Sequence, residues 1–147
     1  MGLCIQATRP EAKPGLPSFT ISYSRFAHLR EALALMVEAK YFYERHYPES
    51  AGLARAGQPD IDSYTFRYPD AWNDDPLGNS LLVFFLHSDC DGEIAALDLR
   101  RLATAFEQHH VAQQVDQLPA GRVKADCQRF LEFLQNSVDA NADWKFY

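Results

Sequence analysis

The sequence lacks any apolar run near the roughly 20 residues that a bilayer-spanning helix needs. Charges at Arg9, Glu11 and Lys13 follow the start too soon to fit a signal peptide. No Gly-x-Gly-x-x-Gly and no Gly-Lys-Ser/Thr motif occurs, so the sequence offers no glycine-rich phosphate loop. These absences predict a protein without a membrane partner and without a nucleotide-type loop.

Positive charge is also scarce. The chain has 14 Lys and Arg against 20 Asp and Glu, which gives a net charge of −6 at pH 7. Nucleic acid is bound through a basic face that displaces counterions, and no run of Lys or Arg supplies one. We therefore expect no nucleic-acid partner. The acidic balance and an aromatic share of 13% favour a protein partner, such as a basic toxin or a phage or host factor.

Cysteine is rare, with Cys4, Cys90 and Cys127 as the three occurrences. An odd number of widely spaced cysteines fits a reducing compartment better than a disulfide framework. The sequence therefore predicts a cytoplasmic protein. Cys127 lies on an apolar helical stripe, where a buried structural thiol is expected.

Several short segments have the composition of β-strands. Residues 3–8 and 19–23 alternate apolar and polar side chains, and residues 64–68 alternate aromatic and polar ones. The final Trp-Lys-Phe-Tyr segment, residues 144–147, is predicted to pair with an N-terminal strand. These segments indicate a small sheet.

Four longer segments carry apolar residues at helical spacing. Ser24 is a predicted N-cap for the first, and Pro48 is its expected end. Asp75 followed by Pro76 is a good start for the second. Between them, the Pro- and Gly-rich residues 48–61 are predicted as a loop. The predicted helices cover 25–46, 76–86, 99–110 and 122–139.

These elements predict one α+β domain over residues 1–147. It is expected to be mainly helical, with about four helices packed on a small β-sheet of short strands.

The densest group of ligand-type side chains lies between the second and third helices. An EF-hand calcium loop places oxygen ligands at alternate positions, glycine at position 6, an aliphatic residue at position 8 and an acid at position 12. With Gly92 at position 6, residues 76–106 resemble a single degenerate EF-hand. The candidate metal ligands are then His87, Asp89, Asp91, Glu93 through its carbonyl, and Asp98, with Ile94 at position 8.

Two positions depart from this pattern. Position 1, normally Asp, is His87, and imidazole is a poor ligand for calcium. Position 12, normally a bidentate Glu, is the shorter Asp98. Both changes are expected to weaken Ca²⁺, and the shorter acid favours Mg²⁺. The alternative is that no ion binds, and that Asp89 and Asp91 stabilise a turn through hydrogen bonds to the backbone.

Other chemistry is open at the same stretch. Cys90 and His87 are a candidate nucleophile and base for a small thiol-dependent enzyme or hydrolase, although Asp89 and Asp91 flank the thiol and no oxyanion-hole motif is visible. Zn²⁺ is a softer-metal alternative. Its ligands would be Cys90, His87, Cys127 and His109 or His110.

A second resemblance spans most of the chain. The N-terminal Met-Gly-Leu-x-Ile, the Tyr-Ser-x-Phe that enters the first helix, the His-Ser-Asp-Cys-Asp-Gly-Glu core at 87–93 and the late Trp-x-Phe are similar to a group of small uncharacterised bacterial and phage-borne proteins. The resemblance implies a bacterial origin and no particular activity. The sequence thus favours a non-enzymatic protein-interaction module with an EF-hand-like loop over the thiol enzyme.

Overall fold

The N-terminal segment and the C-terminal strand form the centre of a small antiparallel sheet. The computed structural model describes residues 2–9, 15–46 and 61–147. Strand β1 (Gly2–Thr8) pairs with β2 (Ser18–Ser22) on one side and with β6 (Asp143–Phe146) on the other. A two-residue strand, β5 (Glu93–Ile94), pairs with β6, so the strand order is β2-β1-β6-β5. The predicted pairing of the C-terminus with an N-terminal strand is confirmed.

The first helix is shorter than the sequence predicts. Helix α1 spans Tyr23–Met36, and its N-cap is Ser22 rather than Ser24, because the Arg25 N–H donates to Ser22 Oγ at 3.3 Å. After Met36 the chain reverses through Glu38, whose φ is +64°. It then enters strand β3 (Lys40–His46).

The predicted helix over 25–46 is therefore wrong in its second part. Strand β3 pairs along its whole length with β4 (Ile61–Arg67), from Lys40 opposite Arg67 to His46 opposite Ile61. The aromatic residues 41–43 are good strand formers, and pairing across the sequence overrides the local helical spacing. The predicted strand at 64–68 matches β4 except for its last residue. The predicted loop at 48–61 lies outside the described residues except for Ile61.

The second half of the chain is helical. A 3₁₀ helix (Asp70–Asp74) leads into α2 (Pro76–Phe85), and α3 (Ala96–Gln108) follows β5. A short α4 (Val111–Asp116), which the sequence did not predict, follows a turn at His110, where φ is +54°. Helix α5 (Arg122–Asp139) has the predicted bounds. In the described residues there are five α-helices, and the predicted α+β class is confirmed.

Aromatic rings join the helices to the sheet. Phe84 on α2 contacts Phe26, Phe106 and Phe130, each with a ring-centroid separation of 5.3–6.4 Å. Phe130 in turn meets Trp144 of β6 edge-on at 5.6 Å. Edge-to-face and offset pairs of this kind add to the hydrophobic stabilisation. The buried apolar residues form one core cluster, which fixes α2, α3 and β6 around the candidate loop.

A buried carboxylate links helices α1 and α5. Asp126 accepts a two-point hydrogen bond from Arg25, with Nε at 2.9 Å from Oδ2 and the other bond between Arg25 Nη2 and Asp126 Oδ1. Arg129 Nη2 lies 3.6 Å from the same carboxylate. Hydrogen bonding to Asp126 raises the pKa of Arg25 above its ordinary value. We call these three residues the Asp126 seam.

None of the helices within the described ranges combines the length and the apolar character that crossing a membrane requires.

Candidate cation-binding loop

Helix α2 leads into the candidate loop, residues 87–98, and both of its ends are well defined. The Gly78 N–H donates to the Asp75 carboxylate at 3.0 Å, and Pro76 stands in the first turn, where its missing N–H is not needed. The helix ends at Phe85, with Leu86 as its C-cap. The predicted start of this helix is confirmed, and its end lies one residue before the predicted Leu86, which is the C-cap.

Helix α3 leaves the loop, and its first turn is capped from the sheet. Ala95, at the N-cap, makes no side-chain capping bond, and instead the Ala96 N–H donates to Asp143 Oδ1 at 2.7 Å. Asp143 begins β6, which also pairs with β5. The strand β6 therefore contacts the loop region twice, through its pairing with β5 and through the Asp143 cap. Sequence reasoning missed Asp143 because the contact joins residues 47 positions apart.

The turn of the loop is formed by Gly92 around the ring of His87. Gly92 has φ +94°, a conformation that glycine adopts without a steric penalty. A β-carbon at this position would also lie 3.1 Å from the His87 ring. That ring packs against Phe146, with centroids 4.1 Å apart and ring planes tilted by 31°. The predicted glycine turn is thus required by backbone geometry and by the close approach of the imidazole.

Three carboxylates of the loop are available to solvent. Asp91 and Glu93 are exposed and Asp89 is half-buried. Within the described residues, no hydrogen bond or ion pair involves these three side chains. Lys145 stands opposite Glu93 in the β5–β6 register, but its ammonium lies 5.4 Å from the centroid of the Tyr147 ring. The loop therefore carries acidic groups that the protein does not neutralise by direct contact.

The fourth acid of the predicted ligand set faces another partner. Asp98 Oδ1 accepts a hydrogen bond from Ser80 Oγ at 2.8 Å, which joins the first turn of α3 to α2. Ser80 is buried and lies five residues before the end of α2, about 7.5 Å along the helix axis at 1.5 Å per residue. In this conformation Asp98 therefore links two helices, with its second oxygen unengaged.

His87, predicted at position 1, binds the backbone of its own loop. Its Nδ1 lies 2.7 Å from the Ser88 carbonyl oxygen and its Nε2 lies 3.2 Å from the Glu93 carbonyl oxygen. Neither nitrogen is bonded to the Cys90 thiol. Cys90 is exposed and its sulfur lies 3.4 Å from Ser88 Oγ. The base and the nucleophile of the alternative enzyme are therefore near in sequence but are not paired.

The zinc alternative would need residues from three parts of the fold. Cys127 is buried in the core on α5, and burial, with a smaller contribution from the Asp126 charge, raises the pKa of its thiol to about 11. His109 ends α3 and His110 forms the following turn, whereas Cys90 and His87 lie in the loop. Among the residues that the structure describes, no three His, Cys, Asp or Glu side chains form a metal-binding group.

The arrangement therefore consists of a helix, a glycine turn with exposed acids, a short strand and a second helix. In the predicted register an ion at this turn would be held by the Asp89 and Asp91 carboxylates and by the Glu93 backbone carbonyl, and no hydrogen bond or ion pair with a described residue holds either carboxylate elsewhere. The ligand set predicted from the sequence stays a prediction. The chain matches no protein-family model, and no curated protein or solved structure is significantly similar to it.

Proposed function

We propose that this protein is a non-enzymatic protein-interaction module whose EF-hand-like loop binds a divalent cation, Ca²⁺ or Mg²⁺. The observation that carries the proposal is the group of unpaired carboxylates, Asp89, Asp91 and Glu93, around the left-handed turn at Gly92. Hard cations prefer such oxygen ligands and complete their coordination with backbone carbonyls and water. Mutual repulsion among unpaired acids is relieved when a cation binds between them.

The ligand set supports a modest affinity. Calcium affinity rises with the number of charged ligands and with the rigidity of the site. Here position 1 is His87, which brings no charged oxygen and faces the Ser88 and Glu93 carbonyls, and Asp98 at position 12 is already bonded to Ser80. Mg²⁺ keeps several waters and needs only one or two carboxylates, so it suits this loop as well as Ca²⁺ does.

Apolar side chains flank the acidic loop and support a role in protein binding. Leu86, directly before the loop, is 62% exposed, and Leu97, in the first turn of α3, is 47% exposed. Val83 lies one turn before Leu86 on the exposed side of α2. Protein interfaces commonly join an apolar centre to charged surroundings. A partner with apolar anchors and basic side chains would complement this surface and the net charge of −6.

Calorimetric titration of chelator-treated protein tests the cation site. We expect Ca²⁺ and Mg²⁺ to give heats of binding that Asp91→Asn removes. Asp116→Asn is the matched control, because it neutralises an exposed aspartate at the end of α4, outside the loop, and it should leave binding unchanged. Absence of heat with both ions would contradict the proposed site. Zn²⁺ binding that needs Cys90 but not Asp91 would favour the softer-metal alternative.

The interaction surface is tested by comparing which proteins each variant retains from a bacterial extract. A partner held by the wild-type protein should be lost with Leu86→Asp. The matched control is Leu35→Asp, which places the same charge on a leucine that is 65% exposed on α1. Equal loss with both variants would indicate nonspecific apolar capture and would contradict an interface at the loop.

A further inference from the structure

The imidazole of His87 lies where the helix, the loop and the sheet meet. The residue follows the C-cap of α2, and its N–H donates to the Phe84 carbonyl at 3.3 Å. Its ring packs in a tilted contact against Phe146 of β6 and approaches Gly92 so closely that a β-carbon there would have to move the ring. The backbone of His87 therefore bonds to the end of α2, while its ring contacts the turn and the terminal strand.

The polar contacts of the ring involve the backbone of the loop. A neutral imidazole donates from one nitrogen and an imidazolium from both, and carbonyl oxygens of Ser88 and Glu93 lie within 3.2 Å of the two nitrogens. In the EF-hand register, Glu93 is position 7, whose carbonyl oxygen is an ion ligand. The His87 ring thus engages the oxygen that a bound cation would use.

We propose that His87 is an internal clasp that holds the loop closed by joining α2 to β6, and that a ligand of the loop must displace it. This inference rests on the proposed function only in taking the loop as the cation site. The clasp has two parts, which are the packing of the ring against Phe146 and the contacts with the Ser88 and Glu93 carbonyls. Release of the ring would free the Glu93 oxygen and separate the end of α2 from the sheet.

The clasp also connects the loop to both helices. Phe146, which holds the ring, donates its N–H to the Gly92 carbonyl at 2.9 Å, and Asp143 of the same strand caps α3. Movement of the ring therefore changes the contacts that orient α2 and α3 relative to β6. Binding at the loop would be transmitted to Leu86, the exposed residue that directly precedes His87.

Amide hydrogen exchange in the presence of a chelator tests the clasp without any cation. The reporter is the Phe146 N–H, which is bonded to Gly92, and the reference is the Phe130 N–H in α5. We expect His87→Ala to speed exchange at Phe146 roughly tenfold through local opening, with Phe130 unchanged. His28→Ala, which removes an exposed histidine from α1, should change neither amide.

A milder variant keeps the test decisive if His87→Ala does not fold. His87→Phe retains an aromatic ring on Phe146 and loses the carbonyl contacts, so we expect several-fold faster exchange at Phe146 in a folded protein. An unchanged Phe146 rate, or an equal increase at Phe130, would overturn the clasp. Failure of the proposed cation site would instead appear as absent heat in the calcium titration, whatever the exchange rates show.

Discussion

The buried carboxylate of Asp126 and the exposed carboxylates of the candidate loop have opposite surroundings. Asp126 is buried at the seam between α1 and α5, where Arg25 and Arg129 neutralise it. The side chains of Asp91 and Glu93 are exposed in the candidate loop, and neither carboxylate makes a hydrogen bond or ion pair with another described residue. Burial of a charge requires partners, so Asp126 is part of the structure. The carboxylates of Asp91 and Glu93 stabilise no contact among the described residues, and this difference from Asp126 is the basis of the proposed cation site.

Removal of the buried carboxylate gives the largest expected effect at neutral pH. Asp126→Ala removes the hydrogen-bond acceptor that links α1 to α5, and we expect the free energy of unfolding to fall by about 2 kcal/mol. The loss is smaller than for a fully buried ion pair because Arg25 and Arg129 are 38% and 45% exposed, so water solvates the guanidinium groups that remain. Asp91→Ala should change stability by less than about 0.5 kcal/mol. Urea unfolding measures both, and equal losses would remove the distinction between the two groups.

The buried thiol of Cys127 is expected to make the stability of the protein depend on pH. Burial raises the pKa of Cys127 from 9.0 to about 11, so the folded state retains a proton that the unfolded chain has lost. Stability contributed by this group is complete below pH 9 and falls as the pH rises through 11, by roughly 2 kcal/mol at that pH. The free energy of unfolding, measured from pH 8 upward, should therefore decline more steeply in the wild-type protein than in Cys127→Ala. Identical slopes would show that the buried thiol is not the cause.

Gly92→Ala tests the backbone conformation of the turn and its close contact with His87. Alanine at φ +94° is strained, and its β-carbon would lie 3.1 Å from the His87 ring. We expect a loss of about 1–2 kcal/mol in stability together with weaker cation binding. Thermal unfolding and calcium titration provide the two readouts. A variant as stable as the wild-type protein would contradict the close packing of His87 on this glycine.

His87→Asp restores the acid that an EF-hand has at position 1 and removes the ring from the Glu93 carbonyl. We expect calcium affinity to rise about tenfold, equivalent to about 1.4 kcal/mol, because one charged ligand is added and one competitor is removed. Titration calorimetry beside Asp116→Asn provides the comparison. Unchanged or weaker binding would indicate that the loop does not have the geometry of an EF-hand.

Local sequence signals were sufficient to predict much of the second, helical half of the chain. Asp75 and Pro76 marked the start of α2, and the apolar stripe through Phe130 and Leu134 marked α5, because caps and spacing act within one element. The error at 25–46 has the opposite origin. Residues after Met36 form a strand because they pair with β4, and no local pattern shows a partner that lies in another part of the chain.

The turn of the candidate loop could be predicted from the sequence, whereas the contacts of its side chains could not. Gly92 was identified from motif spacing alone, since a reversal with alternating acids needs that residue. The roles of His87, Asp98 and Asp143 depend on Phe146, Ser80 and the α3 terminus, which are distant in sequence. Gly78, inside α2, allows the Trp72 backbone to approach, because a β-carbon at Gly78 would lie 2.4 Å from the Trp72 Cα.

The proposed cation site is tested most directly by following the backbone amide resonances of the chelator-treated protein during a calcium titration. We expect saturable shifts at Gly92 and Glu93, with smaller ones at Phe146 and none at the Asp126 seam. We also expect Asp91→Asn to remove these shifts. Spectra that do not change at Gly92, or shifts confined to other acidic surfaces, would contradict the claim that the unpaired loop carboxylates form a cation site.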